Sequence, residues 1–137
     1  MNNQKKYVLD TNIIVSALLF KSSQPRQALD KARTTGIILM SNSIWVEIQE
    51  VLARAKFDKY ITPGERQLFL IGFHETVIFI DIEETINACR DSKDDKYLEL
   101  AVNGQATIII SGDQDLLVLN PFKNIPIVTV RQFLEQE

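Results

Sequence analysis

Two stretches of this chain follow the same pattern: Tyr7-Val8-Leu9-Asp10-Thr11-Asn12 and, far downstream, Ile108-Ile109-Ile110-Ser111-Gly112-Asp113. Each is an apolar run that ends in an aspartate beside hydroxyl or amide side chains. In an open parallel α/β sheet the carboxyl ends of the strands border one crevice, so both carboxylates are expected to face a common space. Acidic oxygen donors gathered in one place suit a hard divalent cation.

Three more positions join this pair. Asp10 reads either as the cap of the helix that follows or as part of a polar site floor with Thr11 and Asn12, and the three together favour the site. On a helical wheel Glu47 falls beside Val51 at the border of the buried stripe, whereas Glu50 lies farther out. Its ordinary partner would be Arg54, although Glu50 is the better i, i+4 match for that arginine. In Arg90-Asp91-Ser92-Lys93-Asp94-Asp95-Lys96, Asp91 reads as a helix cap followed by acids favoured at a helix start. Asp94 lies one turn before the buried positions Leu98 and Ala101, and Asp95 is expected to point more toward solvent. After the second strand, Ser111 offers a hydroxyl and Gly112 a backbone free to take positive φ. Asp113 is the nearer ligand candidate, and Asp115 a helix cap or supporting group.

The elements that must position these residues form a regular alternation. Buried strands are expected at 6–10, 37–40, 76–80, 106–110 and 125–130. Helical patterns fall at 13–20, after Ser22-Ser23 with Pro25, at 43–54, 63–73, 94–102, a short turn through Leu116 to Leu119, and 131–135. Thr62-Pro63-Gly64-Glu65 carries a capping-box signature. Near-continuous apolar strands alternating with helices imply a mainly parallel sheet covered on both faces, a three-layer α/β/α sandwich.

Composition narrows the function classes. The length of 137 residues fits one domain spanning residues 1–137, with no linker, repeat or low-complexity tract. No apolar run approaches the roughly 20 residues needed to span a bilayer, and the first residues carry no apolar signal region, so a cytoplasmic protein without membrane attachment is expected. The single cysteine, Cys89, excludes an internal disulfide and, with the single histidine, His74, disfavours a zinc site. The net charge of −3 hides an asymmetry: ten basic against six acidic residues through position 70, five against twelve beyond it. Lys5, Lys6, Lys21, Arg26, Lys31 and Arg33 are either a basic rim for phosphates or a solvated surface of mixed sign, the second being the stronger reading for each lysine.

Asp10-Thr11-Asn12, the helix from Ser41 to Phe57 with Glu47, the stretch from Arg90 through Asp94-Asp95 to Leu100-Ala101, and Ile109 through Asp113-x-Asp115-Leu116-Leu117 resemble, in that order, the PIN-domain family of nucleases. The resemblance is strongest to the VapC-like toxin branch of bacterial and archaeal toxin-antitoxin systems. It implies that Asp10, Glu47, Asp94 and Asp113 hold magnesium or manganese, with Thr11, Asn12, Asp95, Ser111 and Asp115 in support. Serine at 111, where many relatives carry threonine, keeps the hydroxyl, and the adjacent Asp94-Asp95 pair leaves the third acid ambiguous by one position. It further implies cleavage of RNA to 5′-phosphate and 3′-hydroxyl ends, an antitoxin partner and a homodimer. Two other readings stand beside it. A PIN-like module that binds RNA or protein without cutting would keep the same residues. A phosphoacceptor receiver domain would need an aspartate ending its middle strand and a lysine, often before proline, ending its fifth; Met40 runs into Ser41-Asn42 and Ile80 into Asp81, and the last strand contains Ile125-Pro126 with no such lysine.

Overall fold

Tyr7, Val8 and Leu9 are all buried, although successive side chains of a strand point to opposite faces, so this strand is covered on both sides. The structure, a computed structural model, describes residues 4–136; the first residues read above for a signal region, 1–3, lie outside them. The strands are β1 (Lys5–Leu9), β2 (Gly36–Met40), β3 (Val77–Phe79), β4 (Ile108–Ile110) and β5 (Ile127–Val128). They form one parallel sheet in the order β3-β2-β1-β4-β5. The chain leaves β1 to build one side of the sheet and returns as β4 on the other, which makes the gap beyond β1 and β4 the topological switch point.

The helices are α1 (Thr11–Leu19), α2 (Gln24–Thr35), α3 (Asn42–Leu52), α4 (Pro63–His74), α5 (Asp95–Gly104), α6 (Gln114–Leu117) and α7 (Val130–Glu135). Helix α5 packs over β1, β2 and β4, α2 packs on β2, and α1 joins α2 to α3. The result is the expected α/β/α arrangement around a parallel sheet. Polar caps set the helix starts. Thr62 and Glu65 exchange the two bonds of a capping box at 2.9 and 3.1 Å, and Ser23 caps α2 with Pro25 in its first turn. Such caps stabilise a helix by about 1 kcal/mol each.

The departures from expectation sit at element ends. The helix expected from residue 94 begins at Asp95, after a 3-10 turn over Ser92–Asp94 that Asp91 caps. The last strand is shortened to Ile127–Val128 because Thr129 caps α7 one residue earlier than expected. A Cβ at Gly36 would lie 2.2 Å from the carbonyl oxygen of Lys5, so glycine there lets β2 enter the sheet beside β1.

Candidate active site

Val8 pairs with Ile109 and Leu9 with Ile110 in parallel register, which brings Asp10 and Ser111 side by side at the carboxyl ends of β1 and β4. Asp10 is both of the things its sequence context allowed. Its Oδ1 caps α1 by accepting from the Ile13 N–H at 2.9 Å, and its Oδ2 accepts from the Ser111 hydroxyl at 2.6 Å and the Gly112 N–H at 3.2 Å. Gly112 therefore contributes a backbone donor; the positive φ anticipated there is not adopted. Burial raises the Asp10 pKa and the nearby Asp113 adds to the rise, while the three donors oppose it.

The cleft beside them has a volume of about 540 Å³ and is lined by Asp10, Thr11, Asn12, Glu47, Asp94 and Asp113, with Ser16, Arg54, Tyr97 and Gly112 among its other walls. All four acids expected on sequence grounds thus border one space. Asp113 caps α6, accepting from the Asp115 N–H at 2.9 Å, and its own N–H is held by Ser111 Oγ at 3.0 Å. Burial and the adjacent Asp113 carboxylate push the Asp94 carboxyl up to about 6. The tightest acidic group is Asp94, Asp113 and Asp115, whose nearest carboxylate oxygens lie within 4.8 Å of one another. Of the two roles that sequence allowed Asp115, the cap is taken by Asp113 and the place beside the other acids is the one it occupies. It joins the acidic group and takes the Arg90 guanidinium at 3.1 Å.

Glu47 lines the same cleft from α3. Its Oε1 accepts from the hydroxyls of Thr11 and Tyr97, and its Oε2 lies 3.0 Å from Lys96 Nζ. Burial opposes its ionisation, but the two hydroxyls and the ammonium together hold it below the usual carboxylate range. The Arg54 pairing considered for Glu47 does not form; Glu47 pairs with Lys96, and Arg54 lines the cleft.

Asp95 corrects the expectation most clearly. It is 6% exposed, and its Oδ1 accepts from the Ala88 and Cys89 N–H groups at 3.1 and 2.8 Å. It anchors the loop that precedes α5 and does not line the cleft. The 3-10 turn offsets Asp94 from the helix, so a wheel drawn from residue 94 assigns the wrong direction to its neighbour. The proposed basic rim also changes. Lys31 donates to the carbonyl oxygens of Phe133 and Gln136 at 2.6 and 2.7 Å, and Lys5 and Lys6 start β1 at the far edge of the sheet. Arg26 and Arg33 both pair with Asp30. Lys96 pairs with Glu47 and Arg90 with Asp115, and Arg54 lines the cleft. Sequence reasoning missed Tyr97 and Lys96, which reach Glu47 from α5 across the contact of that helix with α3.

A parallel α/β domain with carboxylates converging at its switch point presents an oxygen donor set of the kind that suits a divalent cation. The sequence profile of the PIN domain matches residues 6–115, and the chain belongs to the PIN-domain family. It is 33% identical over 141 residues to the uncharacterized protein MJ1680 of Methanocaldococcus jannaschii, with 96% of this chain and 90% of that protein aligned. Among solved structures, the fold is similar to PAE2754 from Pyrobaculum aerophilum (TM-score 0.62, 14% identity, 95% of this chain and 87% of that one). It is also similar to a chain of the DNA-bound VapBC from Salmonella typhimurium (TM-score 0.57, 14% identity, 93% and 99%). A third similar chain comes from VapBC2 of Rickettsia felis bound to a promoter DNA fragment (TM-score 0.53, 18% identity, 90% and 96%). At these identities the structural likenesses establish the fold alone.

Proposed function

We propose that the chain is a single-domain ribonuclease that depends on a divalent metal and serves as the toxin of a toxin-antitoxin pair. The observation that carries this reading is the convergence of Asp10, Glu47, Asp94 and Asp113 on one cleft at the β1/β4 switch point. The donor set fits magnesium or manganese: it is all oxygen, and the pressure of Asp113 on Asp94 is the repulsion a cation between them relieves. Asp94 and Asp113 would hold the ion with Asp10, and Glu47 would complete the set from α3. When bound, the ion supplies charge neutralisation at the scissile phosphate and a more acidic attacking water.

The chain's own groups divide the remaining work. Ser111 and the Gly112 N–H fix the Asp10 carboxylate, and Thr11 and Tyr97 fix that of Glu47. Asn12, exposed on the cleft wall, offers an amide to the phosphate or to water. Lys96 and Arg54 supply positive charge beside the acids. By resemblance the products are 5′-phosphate and 3′-hydroxyl ends. The similarity to chains from VapBC assemblies supports an antitoxin partner, and the homodimer is what the family resemblance implies. Among the described residues no helix is long and apolar enough to cross a membrane, and we place the activity in the cytoplasm.

Cleavage of a mixed labelled RNA pool tests the reading, run with magnesium or manganese, with EDTA, and with the Asp10→Asn and Asp113→Asn proteins. Cleavage that disappears in EDTA and in both variants supports it. A metal-independent activity, or an Asp113→Asn protein as fast as the parent, rejects the metal site; no cleavage with unchanged RNA binding favours the non-catalytic PIN-like module.

A further inference from the structure

Past the cleft-lining residues Ser16 and Arg54 the chain builds a basic aromatic surface that the acids leave unexplained. Ser16 lines the cleft on α1, and one turn farther the chain reaches Phe20, whose N–H bonds the Ser16 carbonyl at 2.9 Å. On the other side α3 leads from Glu47 to Arg54, and successive turn bonds continue from Arg54 to Phe57 and from Phe57 to Tyr60. The two paths meet: the rings of Phe20 and Tyr60 are 5.0 Å apart, edge to face, and are 39% and 51% exposed. Large aromatic rings that stay in water at such exposure forgo burial energy.

The charge around these rings is positive and uncommitted. Lys59 Nζ lies 5.1 Å from the Tyr60 ring centroid and Lys56 Nζ 5.1 Å from that of Phe57. Among the described residues, none of Arg54, Lys56 and Lys59 forms an ion pair, and the one acid between them, Asp58, is taken by Arg66 at 2.5 Å. The chain as a whole carries −3, so this excess of cations beside an acidic cleft is local. Lysine and arginine interleaved with exposed rings are what a flexible polyanion with stacking faces requires: cations track its backbone and rings accept its bases.

We propose that Phe20, Tyr60, Lys56 and Lys59 form a platform that holds the unpaired nucleotides flanking the scissile phosphate, with one base stacked on Tyr60. From Thr11 to Phe20 the rise of α1 is about 14 Å, so the platform engages a base a few nucleotides from the acids. A stacked base must leave its partner strand, so the platform selects single-stranded over duplex RNA. This inference rests on the ribonuclease reading and adds to it the conformation of the substrate and the surface that reads it.

The test is anisotropy titration of a short labelled single-stranded RNA with the full chain carrying Asp113→Asn, in magnesium, followed over a range of salt. Tyr60→Ala is expected to weaken binding about tenfold, and Tyr60→Phe to keep it within about twofold. Lys56→Ala and Lys59→Ala each weaken binding and lower the salt slope by about 1. These surface lysines guard the test against a Tyr60→Ala protein that fails to fold. A 2-aminopurine placed in the strand should be quenched at one position by the parent and not by Tyr60→Ala. If the parent binds single strands and all three alanine variants bind as it does, or duplex RNA binds as tightly, the platform is overturned and this surface belongs to a protein partner. If the chain with Asp113 intact neither binds nor cuts RNA, the ribonuclease reading itself falls, and the platform with it.

Discussion

Ser111 Oγ donates to Asp10 Oδ2 across 2.6 Å, joining the carboxyl ends of β1 and β4. The same hydroxyl oxygen accepts the Asp113 N–H at 3.0 Å, so one buried side chain sets the spacing of two acids. Ser111→Ala leaves a buried carboxylate short of a donor and frees the turn that carries Asp113. We expect a loss of about 1–3 kcal/mol in urea unfolding, with weaker manganese binding in the variant that still folds. Unchanged stability and unchanged metal affinity together would mean that Ser111 positions nothing.

Tyr97 holds Glu47 from α5 as Thr11 does from α1. Its hydroxyl also accepts the Thr11 N–H at 3.2 Å, and its ring is 4% exposed. Tyr97→Phe preserves the ring and removes only the hydroxyl. Manganese affinity measured by calorimetry is expected to fall several-fold while the circular dichroism spectrum is retained. An affinity equal to that of the parent removes Tyr97 from the list of groups that position Glu47.

Asp94 lies beside Asp113, with its charge opposed by burial and by that neighbour. Asp94→Asn removes a repelling charge, so the metal-free variant should melt at a higher temperature than the metal-free parent at neutral pH. Magnesium or manganese should raise the parent's melting temperature by mass action and move the variant's little. Equal metal-induced shifts in the two proteins count against Asp94 as a ligand.

Much of this site is legible in sequence because strand ends in a parallel sheet are directional. Asp10 and Asp113 each follow an apolar run, and the shared register of β1 and β4 then places them together without further information. Glu47 is readable because its border position on α3 depends only on helical spacing; it is half-buried and Glu50 exposed, as the wheel requires. What sequence misdirects is the pair Asp94 and Asp95. The 3-10 turn over Ser92–Asp94 advances the chain by fewer residues per turn than an α-helix, so the phase carried back from Leu98 fails at the helix start. The partners of Glu47 are hidden for a different reason. Tyr97 and Lys96 meet it only through the packing of α5 against α3, a long-range contact that local spacing does not encode.

Cys89 sits in the loop anchored by Asp95 and is 8% exposed. Burial first, and then the Asp95 carboxylate, push its thiol up to about 12 from an ordinary 9.0. At pH 8 the native protein should therefore resist iodoacetamide, and alkylation should follow unfolding. The stability consequence has a definite sign. Between pH 9 and 12 the unfolded thiol loses its proton before the folded one, the unfolded state binds fewer protons, and stability falls as pH rises through that window. A Cys89→Ala protein should lose less stability over the same range. Rapid stoichiometric alkylation of the native protein at pH 8 contradicts the burial of this thiol.

Asp95 and Asp94 are adjacent in sequence and opposite in consequence. Asp95 accepts two backbone N–H groups from a buried position, and burial that would disfavour its charge is outweighed by those donors, so its pKa lies below the usual aspartate value. Asp95→Ala leaves the Ala88 and Cys89 N–H groups without their acceptor, at a cost of about 2–4 kcal/mol to the fold. Asp95→Asn retains one carboxamide oxygen and should recover part of that loss. Neither change touches the cleft, so at a temperature where each variant is folded its metal-induced melting shift should match the parent's. Asp94→Asn is expected to show the converse, a fold at least as stable as the parent's with little response to metal. The pair of melting experiments, each with and without manganese, therefore assigns the third acid by position. A variant at Asp95 that loses its metal response while keeping parental stability would reverse the assignment.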